Sequence, residues 1–220
     1  MIDAVIFDFG GVLASNGRPS DVARRFPNDP VEKVMKVMMG DYGQDTDHPW
    51  HRLERGEISM AKYRQELAPL VLEAGLQPMT APAGESTTHG SSAAIGIAFE
   101  PNPLVIELVH ELKAAGFRLG VLTNNVREFR DLWWSMLDFP AIFDDIVDSH
   151  EVGMRKPNPA IYELALDRLG VSAARTAFLD DARSNVDAAT SAGLHGVWVD
   201  VDPRAAVRQV RTLANLSLPA

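Results

Sequence analysis

Three short apolar runs, residues 4–7, 119–122 and 177–179, each stop abruptly at a cluster of acidic, hydroxyl or amide residues. The clusters are Asp8-Phe9-Gly10-Gly11-Val12, Thr123-Asn124-Asn125 and Asp180-Asp181, with Lys156-Pro157 lying between the second and the third. Continuous apolar runs of this length, bounded by turn residues, read as strands buried on both faces. Helical patterns separate them. Val105, Leu108, Val109 and Leu112 fall at i, i+3, i+4 and i+7, and Gly116 stands where that helix should stop. Asn158 can cap a helix with Pro159 in its first position, Ile161, Leu164, Ala165 and Leu169 on its inner face and Gly170 at its end. A strand over 176–179 leads to a helix ending near Gly193, then a strand over 196–199. Asp202-Pro203 opens a last helix with Val207, Val210 and Leu213 inward. This alternation predicts an α/β fold: a Rossmann-like parallel sheet with helices on both faces. In such sheets ligands bind beyond the carboxyl ends of the strands, so the polar clusters should converge. The converged site would hold three carboxylates, a hydroxyl and an ammonium, a set suited to a divalent cation and a phosphoryl group.

Residues 15–97 break the rhythm, showing helical patterns and no clear strand. Asp29-Pro30 starts a helix with Val31, Val34, Met35 and Met38 on one stripe, and Ser59 can cap another carrying Tyr63 and Leu67, which Pro69 is expected to end or kink. The Met35, Met38 and Met39 stripe reads as packing rather than a groove. Residues 78–96, rich in Ala, Ser, Thr, Gly and Pro, read as a flexible connector. His89 lies within it and has no partner at metal-ligand spacing. The expected organisation is a core of residues 1–14 and 98–220, and a helical insert of 15–97 whose connector spans about 78–97.

The net charge of −9 disfavours nucleic acid or an anionic membrane as partner, since both need a basic face. It also means that a phosphorylated substrate needs local positive charge or a metal to offset the field. With no cysteine, disulfides, a thiolate nucleophile and a Cys–zinc site are all excluded. No basic segment followed by a long apolar stretch precedes the first strand, and no apolar run is long enough to span a membrane, so a cytoplasmic location is the expectation.

The ordered set of Asp8, Thr123, Lys156 and Asp180-Asp181 on expected strand ends resembles the haloacid dehalogenase-like (HAD) hydrolase superfamily. The likeness covers most of the chain outside about 15–97, and the insert after the first strand matches the family's small helical cap. The resemblance implies a Mg²⁺-dependent hydrolase acting on a small phosphorylated metabolite. It implies that Asp8 is the nucleophile, forming an aspartyl-phosphate. Asp8, Asp181 and the Gly10 carbonyl would hold Mg²⁺, with Asp180 beside them. Thr123 and Asn124 would hydrogen-bond the phosphoryl oxygens, Lys156 would neutralise their charge, and Gly10 and Gly11 would bring backbone N–H groups close to the anion. Gly153-Met154-Arg155-Lys156-Pro157 looks like the family's third motif, with Arg155 a neighbour rather than a catalyst. Asn185 reads equally as a support for the site or as a surface position. Each of His48, Trp50, His51, Arg52 and Arg55 reads as packing or as a contact with substrate.

Gly10 departs from the pattern. Most HAD phosphatases carry there a second Asp, which protonates the leaving group and then activates water. General acid–base help is typically worth about 10²–10⁴ in rate. Chains with glycine at this position resemble the glucose-1-phosphate phosphatase-like branch and the phosphatase-like domains fused to some epoxide hydrolases and acyl-CoA dehydrogenases. The segment Glu54-Arg55-Gly56-Glu57-Ile58-Ser59 resembles the cap of that branch. Two alternatives stay open at this point. One is a haloacid dehalogenase using the same nucleophile on carbon. The other is a catalytically weakened member that binds phosphate or a protein.

Overall fold

The computed structural model describes residues 1–15, 23, 26–77 and 99–216. The 78–96 connector and His89 lie outside them. Strand β1 (Ala4–Phe7) is followed by three helices, α1 (Val31–Met39), α2 (Pro49–Glu54) and α3 (Met60–Glu73). Then come α4 (Pro103–Ala114), β2 (Arg118–Thr123), α5 (Arg130–Trp134), α6 (Phe139–Ile142), β3 (Asp145–Asp148), α7 (Ser149–Val152) and α8 (Pro159–Leu169). Strand β4 (Thr176–Asp180), α9 (Arg183–Ser191), β5 (His195–Trp198) and α10 (Arg204–Ala214) complete the order. The strands form one parallel sheet in the order β3-β2-β1-β4-β5.

Because side chains alternate along a strand, β1 feeds two cores. Val5 and Phe7 join the larger one, with Leu119, Val121, Leu179 and Val197 from the sheet and Val105, Leu108, Val109, Leu112, Val207 and Val210 from α4 and α10. Ala4 and Ile6 point the other way, to Leu122, Val147, Phe178 and the inner faces of α8 and α9. With both faces covered, the central strands β1, β2 and β4 are buried almost throughout, which is why their sequences are apolar runs rather than alternations. Trp133, fully buried, and Trp134, part buried, both pack, meeting Phe139 with ring centroids 5.0 and 5.4 Å away.

The helix caps follow their residue types. The Asn158 side chain accepts from the Ala160 N–H, and the Ser59 hydroxyl accepts from the Lys62 N–H. Other expectations need correction. Pro69 does not end helix α3, which runs on to Glu73 with Pro69 on its exposed face. Val31, expected on the inner stripe of α1, is 54% exposed, and Val34 and Met39 are the buried residues there. Leu213, part buried, packs against the larger core as expected, and Arg211 on the same helix is buried too, forking onto Glu111 with bonds of 2.9 and 2.6 Å. Strand β3 adds a strand where no apolar run predicts one, and β5 lies one residue earlier than the expected 196–199.

The chain leaves the sheet and returns to it at neighbouring points. Asn102 N–H donates to Leu13 at 2.8 Å and Ser15 N–H to Glu100 at 2.8 Å. The described residues between these points contain helices and turns but no strand. They carry one small apolar cluster around Phe26, Val34 and Leu76, and share a second, around Leu53, Tyr63 and Leu67, with Val126 and Phe129 from the stretch after β2.

Candidate active site

The strand order reverses at β1: β2 and β3 lie to one side, β4 and β5 to the other. The crevice at such a switch point is where α/β sheets bind ligands. Phe7 is level with Leu179 in the register, so Asp8 leaves β1 beside Asp180, the last residue of β4. The Asp8 N–H donates to the Leu179 carbonyl at 2.8 Å. Phe9 turns into the aromatic cluster, 4.9 Å from Phe99 and 5.1 Å from Trp133 by ring centroids, and so anchors the residue beside it. Gly11 has φ 74°, the left-handed conformation that favours glycine, and makes the turn after the strand. Gly10 lies outside that conformation, so backbone geometry does not explain its identity.

Lys156 closes the crevice from below. Its side chain is 1% exposed, and its ammonium donates to Asp8 Oδ1 at 2.8 Å, Asp180 Oδ2 at 2.6 Å and the Leu122 carbonyl at 2.9 Å. Three N–H donors thus meet three acceptors. Burial works against the charged ammonium, but Asp180 and Asp8 outweigh it and raise its pKa. Burial also pushes the Asp8 carboxyl up to about 7, with Lys156 opposing and the charge of Asp180 adding to the rise. Two like charges a few ångströms apart in a poorly hydrated crevice cannot both ionise cheaply.

Asn124 serves this arrangement from behind. Its side-chain amide accepts from the Lys156 N–H at 2.8 Å and donates to the Lys156 carbonyl at 2.9 Å. Of the backbone and side chain of Asn124, either of which was expected to serve a phosphoryl oxygen, the side chain is committed to holding the Lys156 backbone. Thr123 is buried at the end of β2, one residue past the carbonyl that receives Lys156. Asn185 is buried, not a surface residue. Its amide donates to both oxygens of Asp180 at 3.1 Å, and the Ala182 N–H adds a bond of 2.8 Å. The loop beyond β4 is pinned from β5, where the Trp198 indole donates to the Asp181 carbonyl at 2.9 Å with the Arg183 guanidinium 3.7 Å over the ring.

Asp8, Asp180 and Asp181 each present an oxygen within 4.8 Å of the others, the one such group among the described residues. Three carboxylates against one ammonium leave two negative charges, the charge of one divalent cation. All the ligands are hard oxygens, as Mg²⁺ prefers. The buried Oδ1 of Asn185 has no donor in the protein, an acceptor that a hydrated cation in the crevice would satisfy. The residues present fit the metal.

The residues singled out on and around α2 take the packing alternative. His48 caps α2, its Nδ1 accepting from the Trp50 N–H at 3.2 Å, while Trp50 packs edge-on to Tyr63. His51 is buried and accepts from the Thr46 N–H at 3.1 Å; burial, Arg155 and His48 lower its pKa to about 4, so it is neutral. Arg52 pairs with Glu66 at 3.0 Å, and Arg55 pairs with Asp45 and Glu57. These five residues are engaged in local structure. Sequence reasoning overlooked the link to the site itself: Arg155 is fully buried and donates from Nε to Glu54 Oε2 at 2.7 Å. The partners are 101 positions apart, and nothing in the spacing announces them.

Residues 2–193 match the family described as haloacid dehalogenase-like hydrolase. The chain is 32% identical over 219 residues to acyl-CoA dehydrogenase family member 10 of Mus musculus, covering 98% of this chain and 19% of that protein. It thus spans about a fifth of that relative's length. It is 29% identical to the sesquiterpene phosphatase of Aspergillus oryzae, with 96% of each covered. Among solved structures, a HAD family enzyme of Bacteroides thetaiotaomicron in complex with magnesium and inorganic phosphate aligns with a TM-score of 0.60 at 18% identity, covering 92% of this chain and 96% of that one. No helix among the described residues is long and apolar enough to cross a membrane.

Proposed function

The chain belongs to the haloacid dehalogenase-like hydrolases, and on that premise we propose that it is a Mg²⁺-dependent phosphohydrolase of small phosphorylated metabolites working through Asp8. The observation that carries the reading is Lys156, buried and shared between Asp8 and Asp180, beside three carboxylates that fit a divalent cation. Asp8 attacks phosphorus, the bond from phosphorus to the leaving oxygen breaks, and that oxygen departs with the electron pair. Water then attacks phosphorus, cleaves the aspartyl-phosphate and regenerates the carboxylate. Lys156 stabilises negative charge on Asp8 and on the phosphoryl oxygens, and Thr123 offers its hydroxyl to them. Asp8, Asp180, Asp181 and the Gly10 carbonyl would hold Mg²⁺, which when bound neutralises phosphoryl charge. Phosphatase relatives such as that of Aspergillus oryzae support the reaction class, and the magnesium and phosphate of the Bacteroides thetaiotaomicron enzyme are consistent with it. A helical insert, residues 15–97 with its connector, over a core of 1–14 and 98–220 is part of the same reading.

Gly10 narrows the substrate. No carboxylate at this position can protonate a leaving alkoxide, so phosphates whose leaving group departs with little protonation are favoured, such as sugar 1-phosphates and acyl phosphates. A screen of phosphorylated metabolites with Mg²⁺ should find turnover concentrated in these classes and abolished by EDTA. Full turnover in chelator overturns the reading. Chloride release from 2-haloacids under the same chelation would instead favour the dehalogenase reading, against which stands the retention of all three carboxylates.

Gly10→Asp sharpens this account. Since Gly10 has no positive φ, an aspartate can take its backbone conformation. Turnover of ordinary alkyl monoesters should rise by about 10²-fold, the lower end of what general acid–base help provides, with a smaller gain on p-nitrophenyl phosphate. Single-turnover and steady-state rates separate leaving-group departure from aspartyl-phosphate breakdown. A folded, Mg²⁺-binding variant with no gain on any monoester contradicts the assignment of the missing acid to Gly10.

A further inference from the structure

Arg155 and Lys156 are consecutive, both are buried, and their side chains run in opposite directions. Lys156 reaches the carboxylates of the sheet. Arg155 reaches the segment between β1 and β2: Glu54 through Nε at 2.7 Å, the Gln44 carbonyl through a second nitrogen, and the ring of Tyr42, whose centroid lies 5.1 Å from the guanidinium carbon. Glu54, the last residue of α2, is held a second time, because the Ser149 hydroxyl donates to its carbonyl at 2.6 Å. Beside it, the Asn158 amide donates to Asp45 at 3.3 Å. Residues 42–54 are therefore seated on 149–158, the stretch that delivers Lys156, and the Glu54–Arg155 pair is the buried centre of that contact.

We infer that Arg155 is a positioning residue, and that its ion pair with Glu54 makes the placement of the Lys156 ammonium between Asp8 and Asp180 depend on the docking of α2. The physical reason is the isolation of the pair from water. A guanidinium at 0% exposure that loses its carboxylate keeps only the Gln44 carbonyl and the Tyr42 ring, and is left an uncompensated buried charge. Movement towards solvent relieves that penalty, and it draws on the backbone that Arg155 shares with Lys156. Exposed ion pairs exert no such pull, since water replaces the lost partner at little cost. The role assigned to Lys156 rests on the phosphohydrolase reading, whereas the structural dependence of Lys156 on Glu54 does not.

The test exploits the small number of lysines: Lys33, Lys36, Lys62, Lys113 and Lys156. The full chain, as wild type, Glu54→Gln, Arg155→Met and Arg155→Lys, is treated briefly with an amine-acylating reagent and each lysine is quantified by peptide mass spectrometry. Lys33, Lys62 and Lys113, with side chains 41%, 48% and 39% exposed, serve as internal standards. Wild-type Lys156 should be protected. In Glu54→Gln and Arg155→Met its labelling should rise about tenfold relative to those standards, as expected of a local opening, while circular dichroism reports a folded protein. Arg155→Lys, which keeps the charge but not the fork, should fall between. Turnover should drop through kcat, with KM little changed. If Glu54→Gln does not fold, Glu54→Asp replaces it, with the same rise expected at smaller amplitude. Folded variants in which Lys156 stays as protected as in the wild type overturn the inference and leave the pair a stabilising contact only. A rise in labelling in a chain that hydrolyses no phosphate supports the coupling and counts against the phosphohydrolase reading alone.

Discussion

Asp8→Asn should remove phosphatase activity by on the order of 10⁴–10⁶-fold, the scale on which loss of an attacking group is felt when it works as a unit with its neighbours. The amide is nearly isosteric but cannot attack phosphorus. The fold should survive the change, and the sign of the stability effect follows from linkage. Asp8 has its carboxyl raised from 3.8 to about 7 in the fold, chiefly by burial, so the folded state favours the protonated form. Its contribution to stability is fully present below about pH 4 and is lost as pH rises through about 7. Asparagine never ionises. In chelator, Asp8→Asn should therefore be at least as stable as wild type at about pH 8, and should lack the wild type's decline between about pH 4 and pH 8. Urea denaturation at the two pH values measures this, and a variant markedly less stable at pH 8 contradicts the account of Asp8's environment.

Lys156→Met should have the opposite effect on stability. The ammonium is the shared partner of Asp8 and Asp180, and methionine leaves both carboxylates facing each other in a buried crevice. Removing one member of a buried charge cluster typically costs about 3–5 kcal/mol. The loss should be largest without metal at about pH 8. It should shrink at about pH 5, where Asp8 takes up a proton and the repulsion falls. Added Mg²⁺ should recover part of the stability, because it replaces the missing positive charge among the same oxygens. Activity should remain lower than wild type by about 10²–10³-fold even at saturating Mg²⁺, the usual cost of losing an electrostatic stabiliser of the reacting group. Equal denaturation midpoints with and without the metal would count against a cation at these carboxylates.

The contrast between these two variants also shows which parts of the site could be read in the sequence. Strands β1, β2 and β4 are buried on both faces, so each appears as an uninterrupted apolar run, and the polar residue at its end marks the carboxyl edge of the sheet. Once those three strands are parallel neighbours, Asp8, Thr123 and Asp180 must come together. Strand β3 escaped notice because Ile146 and Val147 are its only apolar residues, enclosed by Asp145 and Asp148. It lies at the edge of the sheet and is a strand through its ladder to β2, a tertiary property. Asp148 is fully buried and accepts from Arg130 at 3.1 Å and pairs with His150 at 2.8 Å, partners that no local pattern predicts. The orientations of Asn124 and Asn185 are not legible in the chain, because they are set by what the side chains hold, the Lys156 backbone and the Asp180 carboxylate. Gly10 and Gly11 are adjacent and equivalent in the chain, and the backbone angles separate them, since Gly11 alone of the two has a positive φ.

The most direct test of the central claim is to trap the covalent intermediate on Asp8. The enzyme, with Mg²⁺ and a substrate drawn from the metabolite screen, is quenched in acid during turnover, and the N-terminal peptide is analysed by mass spectrometry. The account predicts an added phosphoryl group on Asp8 that vanishes on longer incubation and is absent from Asp8→Asn and from samples in EDTA. Sustained phosphate release with Asp8 unmodified at every quench time, or undiminished release by Asp8→Asn, would contradict it.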